Sequence, residues 1–480
     1  MISANLVILI AVSYVILLFA LAYFSERWAE GDQGKFLRSP LIYTLAISVY
    51  CTSWTFYGAV GSAARNGLEF FAIYLGPTLV FVGWWFGLRK LVRIGQNQRI
   101  TSVADLISSR FGKSNRLAVL VTLIAVLGTT PYIALQLKAI TTSLFVISTD
   151  SLIAAEGDRA NDNRLALGVA AGMALFTILF GTRNVDAKEQ HHGVVAAIAF
   201  EAIVKLIALL SVGFFVVFGI GGGFGEIFAK AESAGVMLHE NGGFGTRWVT
   251  IVVLSAAAII CLPRQFQVTV VEAPNENHLR TASWAFPLYL LGMSVFTLPI
   301  AIVGLNLLPA GSDPDMFVLT LPLAYNQEAL ALFAFIGGFS SATSMIIIAS
   351  IALSIMVSNH IVMPIALRMR LGQSEEDGQG VTNLVLNSRR FSICAVLALG
   401  FLYFWLTNGS GALALIGLIS FAGVAQFLPA IVAALYWRDA TSKGAGVGLA
   451  AGFAVWAYTL FLPSFHETSI WVADWVANGP

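Results

Sequence analysis

The stretch from Glu328 to Val362 reads EALALFAFIGGFSSATSMIIIASIALSIMVSNHIV. After its opening glutamate it holds no Asp, Glu, Lys or Arg. About 20 apolar residues cross roughly 30 Å of hydrocarbon as a helix, so this run is longer than a straight crossing needs. Its centre, Gly337-Gly338-Phe339-Ser340-Ser341-Ala342-Thr343-Ser344-Met345, sets four hydroxyls and two glycines within eight residues. Residues 337, 340, 341 and 344 share one helix face, at i, i+3, i+4 and i+7. Hydroxyl oxygens and backbone carbonyls freed from a helix are hard ligands of the kind a stripped Na⁺ needs. The same residues also suit close helix packing, with each hydroxyl bonded back to the i−4 carbonyl.

Runs of comparable character lie on both sides of this one. They cover residues 3–24, 41–62, 69–88, 117–147, 165–182, 193–220, 248–263, 282–308, 328–362, 391–407, 411–436 and 445–463, which makes twelve spans. The fold expected is an all-α polytopic membrane protein of about 12 transmembrane spans. Linkers are short, so residues 1–480 form one domain. Composition agrees: 58% of residues are hydrophobic and 11% charged, against about a quarter charged in soluble domains. A soluble fold this apolar would expose large greasy patches. The net charge of +1 argues for no nucleic-acid partner. Cys51, Cys261 and Cys394 form no CxxC pattern, which leaves no disulfide framework or metal knuckle to propose. Met1 to Phe24 has no basic leader or small-residue cleavage site and reads as a retained helix.

Basic residues fix the orientation. With the N-terminus outside, inside loops hold 20 of the 27 Lys and Arg residues, including Arg89, Lys90, Arg93, Arg264, Arg389 and Arg390, and outside loops hold 5. With twelve spans the C-terminus is outside too. Span 2 contains Gly58 and Gly61, and span 7 ends in Cys261-Leu262-Pro263-Arg264. They lie five helices apart and so run in opposite directions. Paired interrupted helices in inverted halves point to a secondary transporter. Span 2 also carries Ser48-Val49-Tyr50-Cys51-Thr52-Ser53-Trp54-Thr55-Phe56-Tyr57, a polar and aromatic stretch far from either membrane interface. An unwound helix there offers carbonyls to an ion and rings to a substrate.

These residues resemble a known family. The Ser-Ser-x-x-Ser-Met run of span 9, Trp54-x-x-x-Gly58-x-x-Gly61, the Pro-Tyr-Ile-Ala-Leu-Gln-Leu-Lys stretch at 131–138 and the Ser420 to Pro429 run look like the sodium/solute symporter family over essentially the whole chain. The resemblance implies a LeuT-like fold, a five-plus-five inverted repeat with additional helices. Residues 1–24 would be an extra leading helix, 41–220 and 248–436 the two halves, and 445–463 a further helix. It implies Na⁺ as coupling ion, with no organic cofactor, and a small organic solute, an amino acid, as cargo. Carried over residue by residue, Ser340 and Ser341 match the hydroxyl ligands of sodium, and Ser48, Cys51 and Gly337 match carbonyl ligands. Tyr50, Thr52, Trp54, Gln136 and Gln426 are the candidate substrate contacts. Tyr50 stands where proline symporters carry an aspartate, which leaves a proton-coupled or uncoupled member open. Tyr50 to Gly58, with the Gly-Thr-Arg-Asn-Val-Asp-Ala run at 181–187, also looks like the transporter-type input region of bacterial sensor histidine kinases. That resemblance implies either the membrane part of a longer protein with a kinase module in cis or a separate transporter with a short end.

Glu201 and Lys205 sit at i, i+4 inside span 6. Ionisable groups at that depth cost several kcal/mol, roughly 3 each on insertion scales. They read as a self-neutralising pair that packs the bundle, or as a gate or proton-coupling pair. Lys138 also falls inside a span. His191-His192 beside Glu189 reads as a helix end, since no third metal ligand is spaced to help. Residues 100–116 read as a short amphipathic cytoplasmic helix, capped by Ser102 and ended by Gly112. The expected location is the bacterial inner membrane.

Overall fold

The computed structural model describes residues 2–29, 34–148, 159–181, 192–236, 245–370, 378–407, 409, 411–466 and 472–473. Residues 182–187 of the kinase-like motif, Glu189 and His191 lie outside them. All regular structure among the described residues is helical, and each of the twelve apolar windows holds helix. Among the described residues, eight helices are long and apolar enough to cross a membrane unbroken, and a ninth is a pair bent by 54° at a short break. Side chains at the rim face outward: Phe86 is 76% exposed and Phe391 72%. The interior instead holds Ser, Thr, Gln and charged groups. Lipid satisfies the apolar rim, and polar groups turn inward to one another.

Span 9 is one helix from Glu328 to Val357. It packs on the span 6 helix His192–Phe214, on the span 4 helix Asn115–Ser148 and on the span 10 helix Gly378–Leu406. Its central face is small because larger residues would collide. A Cβ at Gly338 would fall 2.0 Å from the Tyr57 hydroxyl, and one at Gly337 2.6 Å from Ala208.

Span 2 is broken, but not at its glycines. A helix runs from Pro40 to Ile47, a tight turn covers Ser48–Tyr50, and Cys51 is extended at φ −77°, ψ 100°. The chain then recoils through Trp54–Gly58 into Ala59–Asn66. Gly58 and Gly61 lie in helical backbone, where they permit close approach. A Cβ on Gly61 would fall 1.6 Å from Asp315 Oδ1, and one on Gly58 2.9 Å from Leu413 Cβ. Span 7 breaks as the sequence indicates. Thr246–Cys261 ends, Leu262 is extended, and Pro263 starts the next helix, the position where a missing N–H costs nothing. Within residues 100–116, Ser102 Oγ accepts from the Asp105 amide at 3.1 Å, the helix covers Val103–Arg110, and Gly112 takes φ +76°.

Candidate functional site

At the break in span 2, Lys205 Nζ donates to two backbone carbonyls, Ser48 O at 3.0 Å and Cys51 O at 2.6 Å; Ser48 O also accepts from the Cys51 amide at 2.9 Å. An ammonium at a helix C-terminus meets the carbonyl dipoles with the favourable sign. Lys205 is fully buried. Glu201, one turn earlier, turns elsewhere: its Oε1 lies 2.7 Å from Thr343 Oγ1, and its Oε2 has no hydrogen-bond partner. Among the described residues the two form no ion pair within 4.0 Å, so they are not the self-neutralising contact pair the spacing suggests.

The expected sodium ligands lie in this neighbourhood, yet their polar atoms are engaged. Ser340 Oγ accepts from Tyr14 Oη of the leading helix at 3.0 Å and donates to the Glu201 carbonyl at 3.3 Å. Ser341 Oγ donates to Gly337 O, one turn back on the same helix, at 2.9 Å. Ser48 O and Cys51 O hold the ammonium. A bare cation would have to displace Lys205 and then sit beside a like charge, a repulsion that low dielectric strengthens. With Lys205 in place the donor set does not fit Na⁺.

Four of the five expected substrate contacts do come together. Thr52 Oγ1 and Tyr132 Oη are 2.9 Å apart. Gln136 Oε1 accepts from the Ser53 amide and its Nε2 donates to Tyr132 O, each at 3.3 Å, so Gln136 serves the broken backbone. Phe421 stacks on Tyr132 with ring centroids 5.7 Å apart and contacts the rings of Tyr50 and Trp54. Trp54 Nε1 is buried without a hydrogen-bond partner. Gln426 does not join them. It donates to Ala422 O at 3.1 Å and lines a separate cavity of about 380 Å³ with Phe111, Trp437 and Asp439. Lys138 is also elsewhere: its ammonium donates to the Gly411 carbonyl.

One residue of the site is missing from the sequence reading. Charge counting places Arg264 in an inside loop, but it is 0% exposed. Its guanidinium carbon lies 4.3 Å from the centroid of the Tyr132 ring, and none of its three nitrogens has a hydrogen-bond partner. A signal was present in the sequence: an arginine directly after the proline that restarts a broken helix cannot reach the lipid–water interface as a loop residue would.

No protein-family model matches the chain. The chain is similar to the uncharacterized symporter YodF of Bacillus subtilis (strain 168), with 26% identity over 453 residues covering 92% of this chain and 83% of that one. It is also similar to the uncharacterized symporter YhjB of the same organism, with 23% identity over 443 residues covering 90% and 83%. Among solved structures, a Na⁺-coupled sialic acid symporter in its substrate-bound outward-open state matches with a TM-score of 0.63. That match covers 94% of this chain and 96% of that chain at 15% identity, a likeness that establishes the fold. The chain is a multi-pass, all-α inner-membrane protein.

Proposed function

We propose that this protein is a secondary symporter, which moves a small organic solute by alternating access around the broken spans 2 and 7. The observation that carries this reading is the convergence of two interrupted helices on buried, incompletely paired polar groups at Ser48–Trp54 and Arg264. Interrupted helices meeting at the centre of a bundle are how this kind of transporter forms its site. The symporter names of both relatives support it. We read residues 41–220 and 248–436 as the two halves, with the N-terminus outside, and an amino acid as the cargo. Tyr50, Thr52, Trp54 and Gln136 surround it. The sensory-input reading, with a kinase in cis, draws no support from these relatives.

For the coupling ion, the sequence resemblance and the Na⁺-coupled structural neighbour point to Na⁺ at Ser48, Cys51, Gly337, Ser340 and Ser341, but with Lys205 on the Ser48 and Cys51 carbonyls those residues do not fit a bare cation. A specific observation favours a second reading, coupling to H⁺. The Lys205 ammonium already sits on the Ser48 and Cys51 carbonyls, as a cation tethered to the protein. Lys205 is faced by Glu201 on its own helix, Cys51 of span 2 and Arg264 of span 7. Release of its proton to the inside would weaken its hold on span 2, and reprotonation from outside would restore it. Such a step drives transport only through different proton affinities in the two states. Uptake of labelled amino acids into proteoliposomes, with Na⁺ and pH gradients imposed separately, tests both levels. Concentrative uptake under the pH gradient alone is the expected result. Concentration under Na⁺ alone returns the coupling to sodium, and equilibration without concentration under either gradient removes symport.

A further inference from the structure

We propose that Arg264 is the anchor for a carboxylate, so that the solute carried is a small organic acid anion or an amino acid held by its carboxylate. The proposal rests on the symport reading for its setting and deepens it by naming the substrate's charge. Arg264 is wholly buried, and its five N–H donors meet no acceptor among the described residues. Its one contact of note is the face of Tyr132, which attracts a cation but leaves the in-plane donors unused. A buried charge without a partner is among the least stable arrangements a protein can hold. Something must meet it during the working cycle.

The nearby protein groups do not. Glu201 gives one oxygen to Thr343 and leaves Oε2 without a partner, and among the described residues it makes no hydrogen bond or ion pair with Arg264. Lys205, also fully buried, donates to Ser48 O and Cys51 O and adds like charge that makes an anion more welcome. The guanidinium follows Pro263 at the break of span 7, where the chain bends by 54°. The Tyr132 ring it faces packs with Phe421, and Phe421 with Tyr50 and Trp54, rings suited to a short organic tail. They are poor partners for phosphate or chloride, which need polar groups on every side. A planar fork of donors matches a carboxylate with two parallel hydrogen bonds, a geometry a lysine cannot supply.

The test uses purified full-length protein in detergent and follows its melting temperature. The probes are acid and amide pairs: L-lactate with L-lactamide, L-alanine with L-alaninamide, and L-proline with L-prolinamide, beside chloride and inorganic phosphate. At least one acid is expected to raise the midpoint while its amide does not. Arg264→Gln should weaken that acid about 100-fold and Arg264→Lys about tenfold, as loss of a charge-assisted bidentate pair implies. A response to lactate without alanine or proline assigns the simple acid, and the reverse assigns the amino acid. Equal shifts from acid and amide, unchanged affinity in Arg264→Gln, or shifts from phosphate or chloride alone overturn the proposal. If Arg264→Gln does not fold, the acid and amide comparison on the native protein decides. Gradient-driven uptake separates this claim from symport. Acid binding without uptake removes symport and keeps the anchor, whereas concentrative uptake of neutral solutes alone removes the anchor and keeps symport.

Discussion

Lys205→Met tests the tethered-cation reading most directly, because methionine keeps the length and apolar stem of lysine and removes the charge and its donors. Two effects on stability oppose each other. The Ser48 and Cys51 carbonyls lose bonds of 3.0 and 2.6 Å; Ser48 O keeps the Cys51 amide at 2.9 Å, while a buried acceptor left without any partner costs about 1–3 kcal/mol. Removal of a buried ammonium relieves a desolvation penalty of several kcal/mol. The folded protein should therefore survive, with a melting temperature near that of the native form. Coupling should not survive. A pH difference of two units, at 1.36 kcal/mol per unit, supports about 100-fold accumulation when one proton moves per solute. Proteoliposomes holding the native protein should approach that ratio, and those holding Lys205→Met should exchange solute without concentrating it. Tenfold or greater accumulation by the variant under the same pH difference would refute the reasoning. So would a native protein that concentrates solute only when Na⁺ is supplied.

Other consequences follow from the same geometry. Ser341→Ala removes a hydroxyl bonded only to its own helix and should leave uptake close to native, whereas Ser340→Ala strands the buried Tyr14 hydroxyl and should cost about 1–3 kcal/mol in thermal stability; loss of a Na⁺ response in Ser341→Ala would return that serine to a sodium site. Gly61→Ala places a methyl 1.6 Å from Asp315 Oδ1, which is bonded to Arg65 at 2.8 Å while the second oxygen accepts from the Leu413 amide at 2.9 Å. With Arg65 partly solvated, the expected loss is about 2–3 kcal/mol, and a variant that melts with the native protein would show that Asp315 holds nothing together. The Arg93 fork and Arg89, outside the spans, hold the Glu276 carboxyl below the usual carboxylate range. That contribution is present above the unfolded value of about 4.3 and fades as pH falls through the lower folded value. Glu276→Gln should therefore flatten the melting profile below about pH 4 and change nothing in its shape near pH 7.

How much of this was legible in one dimension depended on how local the cause was. Apolar length needs only a run of residues, so every span window holds helix. Pro263 and Gly112 act through their own φ angles, and Ser102 caps its helix through the amide three residues on, so those three positions were legible as well. The break in span 2 was not. Glycine weakens a helix, which drew attention to Gly58 and Gly61, but a glycine whose missing Cβ is filled by Asp315 or Leu413 is held in helix by its neighbours. The backbone opens at Cys51, where Lys205 takes up the freed carbonyls from 154 positions away in sequence. No local pattern encodes that pairing. The i, i+4 spacing of Glu201 and Lys205 has the same limit: it places both groups on one face and leaves open which neighbouring helix each one answers to. Gln426 matched a family motif by position but projects into a cavity of its own.

The two cations buried beside the break in span 2 divide the work between them. Lys205 and Arg264 share one low-dielectric neighbourhood, and Glu201 is the nearest carboxylate, turned toward Thr343. A protein that needed only stability would replace such charges with apolar groups, since buried ions are often worth less than the hydrophobic residues that could stand in their place. Keeping both makes sense if each meets a different need. The lysine is satisfied by protein carbonyls, so its charge holds the broken helix together and can be switched by a proton. The arginine lies on the Tyr132 ring but makes no hydrogen bond among the described residues, which leaves its donors for the proposed ligand. An anion entering beside Arg264 also lowers the electrostatic strain on Lys205 and favours its protonated form. Solute and proton would then strengthen each other's binding, and by reciprocity each would raise the other's affinity by the same factor. That mutual gain is what obliges a symporter to carry both or neither.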